Sequence, residues 1–153
     1  MSDGAIFPYG ITFREDGAVD VFPAAQVFFP YKDGGEVPFF LLIDSGAYIS
    51  ALPKSDAESL GVKADSGEPV LISGISGSSV RGWHHNIAIR LGGKIIKLPI
   101  VFINDDSAPR ILGRAGVFGK FSIIFEEQKK RSGFLESGGK EAKSVGKILS
   151  RLG

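Results

Sequence analysis

The chain has 153 residues, 43% of them hydrophobic and 12 of them Phe, which is enough to bury a core in one domain and excludes an intrinsically disordered chain. It has no Cys, which excludes disulfides and thiol chemistry, and its 21 Gly with few helix-length apolar patterns point to a mostly β class. Net charge is +1, but residues 126–153 carry 7 Lys/Arg against 4 Asp/Glu, a net +3, leaving −2 on residues 1–125 and no electrostatic footprint for nucleic acid.

The N-terminal residues have neither the basic nor the apolar region of a secretion signal. No apolar run approaches the roughly 18 residues of a membrane span. The expectation is a soluble, cytoplasmic protein. Ile11-Thr12-Phe13 and Val19 to Phe22 flank Glu15-Asp16-Gly17 and predict a hairpin. Gln26 to Tyr31 and Val37 to Ile43 flank Lys32 to Gly35 and predict a second. Its return strand, the apolar run Phe39 to Ile43, reads as buried on both faces. That run leads straight into Asp44-Ser45-Gly46-Ala47, where Gly46 permits a sharp turn. Leu52 to Gly61 predicts one short helix, with Pro53 or Ser55 near its start and Gly61 at its end.

Pro69 to Ser73 predicts a strand that enters the glycine-rich turn Gly74-Ile75-Ser76-Gly77-Ser78-Ser79. From Trp83 the alternation is clean: Trp83, His85, Ile87, Ile89 and Leu91 share one face. Gly92-Gly93 turns the chain, and Ile96, Leu98, Ile100 and Phe102 form the matching face. Asn104 to Pro109 is a polar loop. Ile111-Leu112-Gly113-Arg114 follows, then a helical turn to Gly119. Phe121, Ile123 and Phe125 alternate in what reads as the last strand. From Glu126 a charged linker begins, so the division is a domain over 1–125 and a tail over 126–153. In the tail Ala142, Val145, Ile148, Leu149 and Leu152 fall at helical spacing among Lys140, Lys143, Lys147 and Arg151. Two readings stay open there: a frayed tail, and a basic amphipathic helix that docks on the body, a partner or an anionic surface.

Leu42-Ile43-Asp44-Ser45-Gly46-Ala47 resembles the active-site loop of the retroviral-type aspartic proteases, the retropepsins. Two further pieces match in order: the Ser73–Ser79 stretch, where that family keeps its flap, and Ile111-Leu112-Gly113-Arg114, where it keeps an apolar-apolar-Gly element. The resemblance covers roughly residues 11–125. It implies a mainly β, closed acid-protease barrel, one lobe per chain, with one or two short helices. It also implies an aspartic endopeptidase in which Asp44, Ser45 and Gly46 are catalytic. Ala47, Gly74, Ile75, Ser76 and Gly77 would bind substrate, and Ile111, Leu112, Gly113 and Arg114 would be structural. In related enzymes the Arg pairs with an acid two positions after the loop glycine. That position here is Tyr48, so Arg114 must have another partner.

The chemistry needs two close carboxylates that share a proton. The other Asp-Ser-Gly, Asp65-Ser66-Gly67, follows Lys63-Ala64 rather than an apolar strand and reads as a surface turn. A chain with one such carboxylate requires a second copy, so the expected partner is the protein itself, as a homodimer, together with an extended peptide or protein substrate. Nucleic acid is not an expected partner, nor is a membrane, save through the C-terminal tail. No cofactor and no metal is implied; His84 and His85 are adjacent on a strand and point to opposite faces. A different class of function fits the same residues: a retropepsin-like dimerisation or peptide-binding module with weak turnover. A third is a precursor that clips its own tail at Gln128 to Gly133.

Overall fold

The computed structural model describes residues 3–153. The chain starts with β1 (Gly4–Pro8) and a separate hairpin, β2 (Gly10–Phe13) and β3 (Val19–Phe22), in which Ile11 pairs Val21 and Phe13 pairs Val19. Then β4 (Ala24–Pro30) and β5 (Glu36–Ile43) form the second predicted hairpin, closed by a turn in which Gly34 takes a positive φ of 91°. Ala25, Val27 and Phe29 oppose Leu41, Phe39 and Val37, so one face of this pair is apolar and turned inward.

A short strand β6 (Ser50–Pro53) precedes α1 (Lys54–Leu60), which Gly61 ends in the left-handed conformation. β7 (Glu68–Ser73) and the long β8 (Ser79–Leu91) make the glycine-tipped hairpin. β8 then pairs along its length with β9 (Lys94–Ile103) through a Gly92-Gly93 turn, both residues at positive φ. β10 (Ile111–Leu112) lies between β5, to which it is parallel, and β6, to which it is antiparallel. The strand order is β4-β5-β10-β6-β9-β8-β7, and β8 also pairs with β4, so six strands close a ring and β7 stands outside it. Inside lie Phe29, Leu41, Leu52, Ile89, Leu91, Leu98, Ile100, Phe102 and Leu112, all essentially inaccessible. The mainly β, closed architecture is therefore present.

Residues 114–120 form successive turns instead of the expected single helical turn. Gly116, at φ 75°, breaks the repeat where a Cβ would meet Pro99 and the Lys97 carbonyl. The larger correction concerns the charged linker. β11 (Phe121–Glu126) is followed by a 3-10 turn over residues 127–129 and a further strand, β12 (Arg131–Glu136). β12 is the central strand of a second sheet, β1-β12-β11. Its Phe134 is fully buried, with the rings of Phe7 and Phe121 edge-on at 5.3 and 5.6 Å. The charges that resemble a linker are cross-strand partners: Arg131 bonds Glu126, the residue opposite it in the register. α2 (Lys140–Ser150) ends the chain as an amphipathic helix with no buried residue.

One ion pair ties α1 to the ring. Asp56 is buried and takes two bonds from Arg110, Nε at 2.7 Å and Nη2 at 2.8 Å, while the guanidinium lies over the Phe39 ring at 4.6 Å. The Asp56 carboxylate raises the Arg110 pKa against the lowering effect of burial. Asp56→Asn removes one charge and leaves Arg110, half-exposed, facing an amide. We expect a loss of about 2 kcal/mol, below the full buried-pair penalty because water still reaches Arg110. Urea unfolding of the two proteins measures it.

Candidate active site

The Asp44 loop is built from backbone outward. β5 carries the chain to Ile43, whose amide bonds the Pro23 carbonyl at 3.0 Å. The next amide, that of Asp44, donates to the Leu112 carbonyl at 3.0 Å, while Leu42 N–H donates to the Arg110 carbonyl at 2.9 Å. β10 thus grips the strand immediately before and at the carboxylate. The loop then closes on itself: Ala47 N–H donates to the Asp44 carbonyl at 3.2 Å, and Gly46 N–H to Asp44 Oδ1 at 2.9 Å. An amide aimed at a carboxylate oxygen fixes its orientation.

Ile111-Leu112-Gly113-Arg114 secures the far side. Arg114 N–H donates to the Ala47 carbonyl at 3.0 Å and Ala115 N–H to the Tyr48 carbonyl at 2.7 Å. Gly113 passes so close to the loop that a Cβ would lie 2.5 Å from the Ile49 carbonyl carbon and 3.0 Å from the Ala47 oxygen. The Arg114 side chain, deprived of an acid by Tyr48, donates from Nη1 to the Ser45 carbonyl at 2.6 Å. It holds the loop through its backbone. The sequence reading missed Ser50, a buried serine whose Oγ accepts the Gly113 N–H at 2.9 Å. It also missed β6 itself, since a four-residue strand containing Pro has no readable alternation.

The structure therefore brings Asp44, Ser45, Gly46 and Ala47 together with Ile111, Leu112, Gly113 and Arg114. It does not bring the glycine-rich tip to them. Residues 73–79 are all exposed at the end of the β7–β8 hairpin, and no hydrogen bond joins them to the Asp44 loop. The tip is a tight turn, with Gly77 N–H bonded to the Gly74 carbonyl at 3.0 Å and Ile75 wholly in solvent. Asp65 and Ser66 lie in an exposed 3-10 turn, as expected of a surface loop. His85 Nε2 meets the Ala64 carbonyl at 2.8 Å and packs edge-on against Phe102, so it fastens that turn to the sheet.

A second difference from expectation lies in β5. The run Phe39 to Ile43 is fully covered on one face only, with Leu42 half-buried on the other. Phe39, Leu41 and Ile43 are in the core, whereas Phe40 is 56% exposed. Tyr48, beyond the loop, is 71% exposed, and Ser45 and Gly46 are exposed as well. Asp44 is half-buried, and among the described residues no other carboxylate is hydrogen-bonded or ion-paired to it. Within one chain the site is thus a single carboxylate on a braced loop, with the exposed Tyr48 just beyond it.

A protein-family profile described as "Aspartyl protease" matches residues 30–115, more than half of the chain. Among solved structures the chain is similar to a retropepsin-like aspartic protease from Rickettsia conorii, at 19% identity and a TM-score of 0.56, covering 85% of this chain and 97% of that one. It is also similar to the EIAV protease complexed with the inhibitor HBY-793, at 25% identity and a TM-score of 0.48, covering 61% of this chain and 82% of that one. No curated protein matches it. The Rickettsia likeness speaks to the fold, and the profile, spanning the Asp44 loop through Arg114, speaks to descent. The chain belongs to the aspartyl protease family and has a retropepsin-like fold.

Proposed function

We propose that the protein is an aspartic endopeptidase that works as a homodimer, each chain supplying one Asp44. The observation that carries this reading is the lone carboxylate on a braced Asp-Ser-Gly loop whose apolar surroundings a single chain leaves open. A two-fold axis at the loop sets Asp44 beside its symmetry mate and covers Tyr48. Ser45, whose hydroxyl has no hydrogen bond within the described chain, bonds across that axis. Two carboxylates so close cannot both ionise readily, so they hold one proton between them and titrate as a pair.

The steps then follow. The ionised carboxylate takes a proton from a water lying between the two, and the water oxygen attacks the scissile carbonyl carbon. The neutral carboxyl gives its proton to the carbonyl oxygen, forming a tetrahedral diol without a covalent enzyme intermediate. Collapse breaks the C–N bond: the carboxyl that took the water proton gives it to the departing amine, and the other carboxylate takes a proton from a diol hydroxyl, which restores the starting pair. The peptide lies extended along Gly46 and Ala47, held by backbone bonds as an added strand. Gly74 to Gly77 close over it, with Ile75 as an apolar lid that excludes water.

The test is cleavage of an unfolded protein substrate at mildly acidic pH over a range of enzyme concentrations. A dimeric site predicts that specific activity rises with concentration and then levels off. Specific activity independent of concentration down to a regime where light scattering reports only monomer would refute the shared site.

A further inference from the structure

α2 is the part of the molecule that neither the core nor the protease site uses. It is joined to the body at one end: Lys140 N–H bonds Asp3 Oδ2 at 3.2 Å, and Gly139 packs so closely on Asp3 that a Cβ would sit 2.9 Å from it. From there the apolar stripe becomes steadily barer. Ala142 and Val145 are half-buried, while Ile148, Leu149 and Leu152 are 54%, 62% and 80% exposed. Their spacing puts them on one side of the helix. Lys140, Lys143, Lys147 and Arg151, at i, i+3, i+7 and i+11, occupy the other. Among the described residues none of these four cations is in an ion pair, and Glu141 is the only acid of the segment.

Two needs meet on this helix: aliphatic surface to be removed from water, and four positive charges to be balanced. A nucleic acid would balance the charges and leave Ile148, Leu149 and Leu152 wet. A second copy of α2 packed on the stripe would cover them but set two helices of net +3 side by side. A bilayer rich in anionic lipid does both. The stripe enters the headgroup–acyl boundary, and the long Lys and Arg stems reach back to the phosphates. No helix among the described residues is long and apolar enough to span a membrane, so the contact is one of lying on the surface. We propose that α2 is an interfacial anchor that binds the protein reversibly to anionic membrane surfaces. The proposal stands apart from the proteolytic reading and does not need it.

The experiment is co-sedimentation of the full chain with vesicles of phosphatidylcholine alone and of phosphatidylcholine mixed with phosphatidylglycerol. It uses wild type, Leu149→Glu and the double variant Lys143→Glu/Lys147→Glu, each checked by thermal melting and gel filtration. None of these residues is buried, so folding should be intact in all three proteins. Binding is expected only to the anionic vesicles, weakening as salt rises, and falling about tenfold or more in each variant. Peptide cleavage in solution should be unaffected. Failure of the wild type to sediment with anionic vesicles overturns the proposal, as does binding that ignores Leu149→Glu. A change of oligomeric state in Leu149→Glu would overturn it too, because the stripe would then belong to a second copy.

Discussion

Asp44→Asn is expected to lower peptide-bond cleavage by at least about 10³-fold while leaving the fold in place. Asparagine keeps the shape of the side chain, and its amide oxygen still accepts the Gly46 N–H that Asp44 Oδ1 accepts at 2.9 Å. What it lacks is a proton to share and a charge to take one from water. The loop is held by backbone bonds to the Leu112 carbonyl and from the Arg114 and Ala115 amides, none of which involves the Asp44 side chain. Unfolding free energy should therefore shift by no more than about 1 kcal/mol. The variant also has a use in mixtures. Added in excess to wild type, it should reduce activity, because mixed dimers hold one carboxylate only. Equal activity in variant and wild type would remove Asp44 from the mechanism. Activity in neither, across a broad set of peptides, would favour a binding module with this fold.

Gly113→Ala is expected to be the most damaging small change in the site. The added methyl would meet main-chain atoms, the Ile49 carbonyl at 2.5 and 2.6 Å and the Ala47 oxygen at 3.0 Å, so no side-chain rotation relieves it. Either β10 withdraws from the loop or the loop moves. Both break the bonds from Arg114 and Ala115 to the carbonyls of Ala47 and Tyr48, and both disturb the buried Ser50 Oγ that accepts the Gly113 N–H. The cost should be about 3 kcal/mol, on the order of 10 °C in Tm for a domain of this size. Activity should fall with it even in the folded fraction, since the segment that shifts is the one that aims Asp44. Measuring kcat well below Tm separates the two effects. A variant of unchanged Tm would mean that the close approach of β10 is relieved at no cost.

Read as residues alone, the chain already shows its Asp44 loop and most of its ring. The hairpins around Asp16-Gly17 and Gly34-Gly35, the helix ended by Gly61 and the alternating pair of strands through Gly92-Gly93 are legible because each is a local pattern. A turn residue and a period of two or 3.6 suffice to state them. Asp44 is legible for a related reason: a carboxylate directly after five apolar residues conflicts with desolvation, and conflicts of that kind mark sites. The elements that were not legible are those whose cause lies far away in sequence. β6 and β10 are four and two residues long, and exist as strands only because each finds partners among β5, β9 and the other. β12 reads as a charged linker until Glu126 and Arg131 are seen to face each other and Phe134 to fill the space between Phe7 and Phe121. The buried pairing of Asp56 with Arg110 spans 54 residues, and the bond from Arg114 to the Ser45 carbonyl spans 69. Sequence by itself determined which carboxylate is the candidate for the chemistry and which segments extend or turn, because those depend on near neighbours. Tertiary structure alone decided how the loop is braced, what replaces the acid missing at Tyr48, and that Phe40 of β5 stays exposed, because each is settled by what packs there.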